Sequence, residues 1–242
     1  MGRGGRCYLR ISSAVLIFLC SALSAQKVRV PFVGCPAEGQ SDPWKAPTGT
    51  NKAVEIGAKE AQKLAYYKPW FGSGVHAPRD WHCFATYGSD GVSLFVSPRP
   101  IKLHDLFGLG RRGFTGPVVQ IDNLDGSTSG RFEVAQVVAR AFPARKAFVT
   151  NVIEIFGGAS DYKFGPYPQE KVIVQTDRLV DFRTPPHSEG LGTMSRLKAN
   201  NDPVDGVAIL DGPTLDLLML RVRLPRELSS LAPAIIHEFE RR

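Results

Sequence analysis

The chain has 242 residues, is 43% hydrophobic and 22% charged, and carries a formal charge of +7. Three arginines and no acids fall in the first 25 residues, so the remainder carries only +4, and it holds no Lys/Arg run of the kind that marks nucleic-acid binding. About 217 residues after that point suffice for one large domain or two small ones, and no stretch of them approaches membrane-spanning length.

The opening, MGRGGRCYLRISSAVLIFLCSALSAQK, has a basic start (Arg3, Arg6, Arg10), an apolar core over residues 11–23 and small residues at Ala22, Ser24 and Ala25. That pattern predicts a secretory signal peptide over residues 1–25, cleaved after Ser24 or Ala25. The competing reading is an uncleaved anchor, for which the core is short. A lipoprotein signal fits less well, because Leu19 precedes Cys20 where a small residue is wanted. Cleavage leaves no stable membrane span and sends the chain to the periplasm or the extracellular medium.

Cys7 and Cys20 leave with the signal, and Cys35 and Cys83 remain. Two thiols in an oxidising compartment pair. A bridge closing a loop of about fifty residues contributes roughly 4 kcal/mol in the chain-entropy model. The stretch HAPRDWHCFATYGSDG also permits a free Cys83 acting as nucleophile with His82 as base. Neighbours in a strand point to opposite faces, so His82 is badly placed to take that proton. His76, His104, His187 and His237 fit no nucleophile spacing, and the disulfide is the expectation.

Residues 26–51 are rich in Pro, Gly and polar residues and read as an irregular arm, in which KVRVPFV can add an edge strand limited by Pro31. Residues 52–242 read as one domain. Val54, Ala58, Ala61 and Ala65 recur at helical spacing and predict a helix over 52–66, weakened by Gly57. Alternation over residues 82–87 and 92–97, around Gly88-Ser89-Asp90-Gly91, predicts a hairpin. Residues 101–116 read as a Gly-rich surface loop. Its G-x-G-x-x-G, from Gly108 to Gly113, follows no clear strand and opens no helix, so a dinucleotide site is not expected.

A buried strand is expected from Pro117. Two helices then meet at Pro143. Phe132, Ala135, Val138 and Phe142 form the stripe of the first, over 131–141, and Ala144, Phe148, Val152 and Ile155 that of the second. EKVIVQT and RLVDFRT suit two strands, residues 185–203 a long surface loop, and VDGVAIL with LDLLMLRVRLP a further hairpin. One face of that last strand passes from Leu217 and Met219 to Arg221 and Arg223, which predicts a solvated margin. A final helix, SSLAPAIIHEFERR, points Leu231, Ile235 and Phe239 inward, with Pro233 in its first turn. The expected fold is α+β, a single domain with a mostly antiparallel sheet and three to four helices packed on one face of it.

Few motifs carry chemistry. Tyr66, Tyr67, Trp70, Phe71, Trp81, Phe84 and Tyr87 cluster within 22 residues and either grip a ligand or pack around the disulfide. Binding candidates are Trp70, Trp81, His82, Tyr87, Arg111 and Arg112. His187, Glu189 and Asp202, with His104 and Asp105 in the other loop, are the candidates for acid–base chemistry. His76, Asp80 and His82 lack a zinc frame, His237-Glu238 lacks a second histidine, and residues 200–205 lack the EF-hand spacing. No metal and no cofactor is expected, and serine-hydrolase signatures are missing.

VPFVGCPAEGQ, APRDWHCFATYGSDG, SGRFEVAQVVARAFP and LRVRLPRELSSLAPAIIHEFER together resemble a group of predicted exported bacterial proteins that share a WHCFxxYGSxG segment. The resemblance covers most of the chain beyond residue 25, implies a bacterial envelope or secreted location, and supports pairing Cys35 with Cys83. It implies no catalytic residue. The expectation is a non-catalytic exported domain, a binding or structural module for an envelope protein or glycan. The alternative is an extracytoplasmic hydrolase of cell-wall or sugar substrates.

Overall fold

A computed structural model describes residues 28–107, 113–194 and 196–241. The segment expected to be an export signal lies outside the described residues, and so do Arg111 and Arg112. No helix among those described is long and apolar enough to cross a membrane.

The arm expected to be irregular contributes three short strands, β1 (Val28–Val30), β2 (Phe32–Gly34) and β3 (Ala37–Gly39). The single helix expected over 52–66 is instead β4 (Lys52–Val54), α1 (Ala58–Lys63) and β5 (Leu64–Lys68). Val54 faces Val28 across a strand pair, and Tyr66 faces Phe32. Pairing with the arm thus outweighs helix propensity, which Gly57 had already weakened.

After β6 (Val75–Pro78), the hairpin of β7 (His82–Gly88) and β8 (Gly91–Ser97) forms as its alternation requires. Gly91 has a φ of 137°, and a Cβ there would lie 2.0 Å from the Asn123 carbonyl oxygen. Only glycine fits that turn. The Gly-rich segment opens with a short helix, α2 (Leu103–Phe107), and β9 (Val118–Leu124) is the expected buried strand. α3 (Arg131–Ala141) and α4 (Lys146–Phe156) meet at the Pro143 corner. Their buried stripes are shifted from expectation: Val134, Val137 and Val149 are buried, while Phe132 and Ile155 are exposed. The remaining strands are β10 (Lys171–Gln175), β11 (Leu179–Thr184), β12 (Val204–Asp211) and β13 (Asp216–Arg223). The last helix, α5 (Ala232–Glu240), buries Ile235 and Phe239.

Eight strands form one sheet in the order β10-β11-β12-β13-β9-β8-β7-β3. Each neighbouring pair in it is antiparallel except β3 with β7. Smaller sheets, β2-β5-β6 and β1-β4, complete a single α+β domain with five α-helices among the described residues, rather than three or four. The helices cover both faces of the main sheet, not one. Leu94, Ile121, Leu220 and Val222 share a face with Ile235 and Phe239 of α5. Their alternating neighbours, among them Phe182, Ala208, Leu217 and Met219, pack under α3 and α4 on the opposite face. Further along that second face, Phe84, Phe95, Val118 and Leu197 form a third cluster with Leu106 of α2.

Cys35 and Cys83 are joined, with Cα atoms 5.3 Å apart, so the connection between β2 and β3 is tied to β7. Residues 185–203, expected as a surface loop, cross the second face as a strap. Leu191 and Leu197 are buried. The Leu191 carbonyl accepts from Arg221 Nε (3.0 Å), and Gly192 N–H donates to Thr184 Oγ1 (2.9 Å). Polar anchors for a buried backbone do here what apolar side chains do elsewhere, so low apolar content was a poor guide to exposure.

Candidate functional site

The margin of β13 expected to be solvated is closed: Arg221 and Arg223 are both 0% exposed. Gln120 and Asp122 on β9 match them, and the strand register sets Gln120 opposite Arg221. Asp122 forms an ion pair with Arg221 Nη1 and accepts from Gln120 Nε2 (2.9 Å) and from Ser93 Oγ of β8 (2.5 Å). A polar band thus crosses three strands between the two apolar clusters of that face. Desolvating such charges costs several kcal/mol each by order of magnitude, so the band holds only while its partners stay in place. Arg221 Nη2 and Gln120 Oε1 are buried with no hydrogen-bond partner among the described residues.

Beside this band lies a cleft of about 290 Å³, walled by Tyr87, Asp90, Ser93, Phe95, Glu133 and Arg196 among others. Gly130 brings its walls together. A Cβ there would lie 2.4 Å from the Asp90 carbonyl oxygen, so its absence lets the β7–β8 turn dock on the start of α3. The same carbonyl accepts from Asp125 N–H (3.1 Å). Tyr87 is pinned by its hydroxyl, which donates to the Asp42 carbonyl (2.6 Å), and by an edge contact with Trp44 (6.2 Å between centroids). Arg196 arrives from the strap, with Nη1 3.5 Å from the Leu106 carbonyl.

Burial pushes the Glu133 carboxyl above the usual carboxylate range. The charges of Asp122 and Asp90 push it further, against the pull of Arg221 and Arg196. The cleft therefore offers a carboxyl that holds a proton readily, next to a fixed ion pair. Glu38, Asp90 and Glu133 face one cation, Arg196, among the described lining residues. That balance repels anions and suits a neutral, hydroxyl-rich ligand or a cationic one.

Of the residues singled out from the sequence, Tyr87 lines this cleft. Trp81 lines a separate cavity with Arg99 and Phe114. His82 is exposed at the start of β7, and Trp70 is 56% exposed on the turn before β6. The aromatic cluster divides, for Tyr67 and Phe84 are buried in the core. His187, Glu189 and Asp202 are not brought to one cavity. Glu189 lines a second cavity in which neither of the others takes part, and the charge of Asp202 acts on Arg223 instead. His76 is buried against the Tyr66 ring (5.1 Å), apart from the exposed His82. No group of three or more His, Cys, Asp or Glu among the described residues is placed to hold a metal ion.

Glu133, Asp122, Arg221, Arg196 and Ser93 were missed as site residues. A signal for two of them was present. PVVQIDNL and LLMLRVRL each set two polar residues at i and i+2 inside an apolar run. Such strands, paired side by side, bury a polar band.

No family model matches this chain, and no curated protein or solved structure matches it.

Proposed function

We propose that the protein is an exported binding module of the bacterial envelope or the extracellular medium, and that its cleft between the β7–β8 hairpin and α3 holds a glycan. The observation that carries this reading is the protonatable Glu133 beside the fixed Asp122–Arg221 pair, with Tyr87 on the same cleft wall. Sugar hydroxyls donate and accept at once, which carboxyls and an arginine match in pairs, while an aromatic ring covers the apolar face of a pyranose. An ion pair already in place before the ligand arrives needs little ordering on binding. Export is supported by the N-terminal pattern and by the disulfide, a bond that persists in oxidising compartments. Titration calorimetry with the tetramer of N-acetylglucosamine tests the reading. Glu133→Ala and Tyr87→Ala each weaken binding about tenfold, or ~1.4 kcal/mol. Glu133→Ala leaves the melting profile unchanged, whereas Tyr87→Ala also lowers the melting temperature, because its ring packs on Trp44 and its hydroxyl bonds Asp42. A wild-type protein that binds neither this tetramer nor a carboxylate-bearing cell-wall tetrasaccharide overturns it.

A second reading is an extracytoplasmic hydrolase of the same glycans. A carboxyl that keeps its proton is what a general acid requires, and Asp90 places a second carboxyl on the same cleft wall. Reducing ends released by the wild type, and abolished in Glu133→Gln while binding persists, separate hydrolysis from binding alone.

A further inference from the structure

The half-buried positions of α3 include Glu133, Gln136 and Arg140, while positions 134, 135 and 137–139 are buried. Spacing of i, i+3 and i+7 is one stripe of a helix, and seven residues advance about 10 Å along its axis. Glu133 lines the cleft described above, whereas Gln136 and Arg140 line a second cavity of about 590 Å³. The strap supplies residues to both: Arg196 to the first, and Glu189, Thr193, Met194 and Lys198 to the second. The two cavities therefore share two walls and follow one another along α3.

The balance of charge reverses between them. Acids outnumber cations in the first. In the second, Arg140, Lys163 and Lys198 outnumber Asp161 and Glu189. Arg140 is held in place, stacked over the Tyr167 ring (4.0 Å) and donating to the Gly165 carbonyl (3.2 Å). A guanidinium fixed in this way loses little side-chain freedom when it pairs with a carboxylate. Lys163 and Lys198 make no ion pair among the described residues.

We propose that the two cavities are consecutive subsites of one groove, and that its ligand is an oligosaccharide bearing a carboxylate. The uncharged sugar lies against Glu133 and Tyr87, and the carboxylate against Arg140, Lys163 and Lys198. The inference rests on the glycan reading of the first cleft and adds the substrate class. Volumes of about 290 and 590 Å³ each fall near the span of ordinary small-molecule sites, and in series they accommodate more than one ring.

Calorimetry on the intact protein with two probes tests it. One is the neutral N-acetylglucosamine tetramer, the other the tetrasaccharide of alternating N-acetylglucosamine and N-acetylmuramic acid, which carries lactyl carboxylates. The expected result is an affinity about tenfold higher for the acidic probe at low salt, with the ratio falling to about one in Arg140→Gln/Lys198→Gln. The exposed Lys163→Gln, which puts no packing at risk, lowers the same ratio. Equal affinities in the wild type, or a ratio untouched by these variants, overturn the groove and leave the first cleft standing. Failure of both probes to bind overturns the cleft reading as well.

Discussion

Glu240, near the end of α5, carries the most informative carboxyl outside the cleft. Burial, with hydrogen bonding to Asp181 of β11 and the charge of that residue, pushes it up to about 7. No donor among the described residues reaches Asp181 Oδ1 or Glu240 Oε1, so the proton between the two carboxyls is their own. Arg183, Asp205 and His237 line the same cavity, but Arg183 is engaged with Asp205 (3.0 Å). Released from the fold, Glu240 returns to 4.5. Between roughly pH 4.5 and 7 the folded state thus binds more protons than the unfolded chain, and stability falls as the pH rises through that window. The whole shift corresponds to about 3 kcal/mol. Solvent reaches this partly exposed pair, and screening reduces the contribution to about 1 kcal/mol. Glu240→Gln removes the titration and keeps a donor for Asp181. At pH 5 the wild type and the variant melt within ~1 °C of each other, and at pH 8 the variant melts higher by about 2–4 °C. Circular dichroism melts at pH 5, 6, 7 and 8 and constant ionic strength read the difference. Two melting curves that move in parallel across the range refute the shared proton.

Arg221→Leu strands Asp122 in the interior and costs about 3–5 kcal/mol in urea unfolding, whereas Arg221→Leu/Asp122→Leu together cost less; equal losses would show that no ion pair is at work. Cys35→Ser/Cys83→Ser lowers stability by roughly 4 kcal/mol, and the unreduced wild type yields no alkylatable sulfhydryl beyond residue 25 in mass spectrometry. Two such sulfhydryls would remove the bridge from the account. Ile173, 66% exposed on the edge strand β10, is flanked by exposed Val172 and Val174. Ile173→Lys raises the concentration at which light scattering first detects association and leaves the melting temperature within about 1 °C, because a charge blunts edge pairing.

What the sequence determined by itself is what neighbours along the chain decide. The hairpins β7–β8 and β12–β13 follow from period-2 alternation and from turn residues that suit them. α3 and α5 follow from stripes at helical spacing, and the Cys35–Cys83 bridge from the two cysteines that lie beyond the N-terminal segment. Each of these needs only local geometry or a count.

The tertiary structure decided the rest, because the deciding partner lies far away in the chain. Residues 52–66 carry a fair helical pattern, yet β1 and β2 claim its two ends as strands. The strap over 185–203 looks solvated until Glu170, Thr184 and Arg221 bond its backbone. Arg221 reads as a surface residue until Asp122, 99 positions earlier, is set beside it by strand pairing. A charge is buried or exposed according to whether a counter-charge waits for it in the fold, and alternation within one strand carries no information about the next.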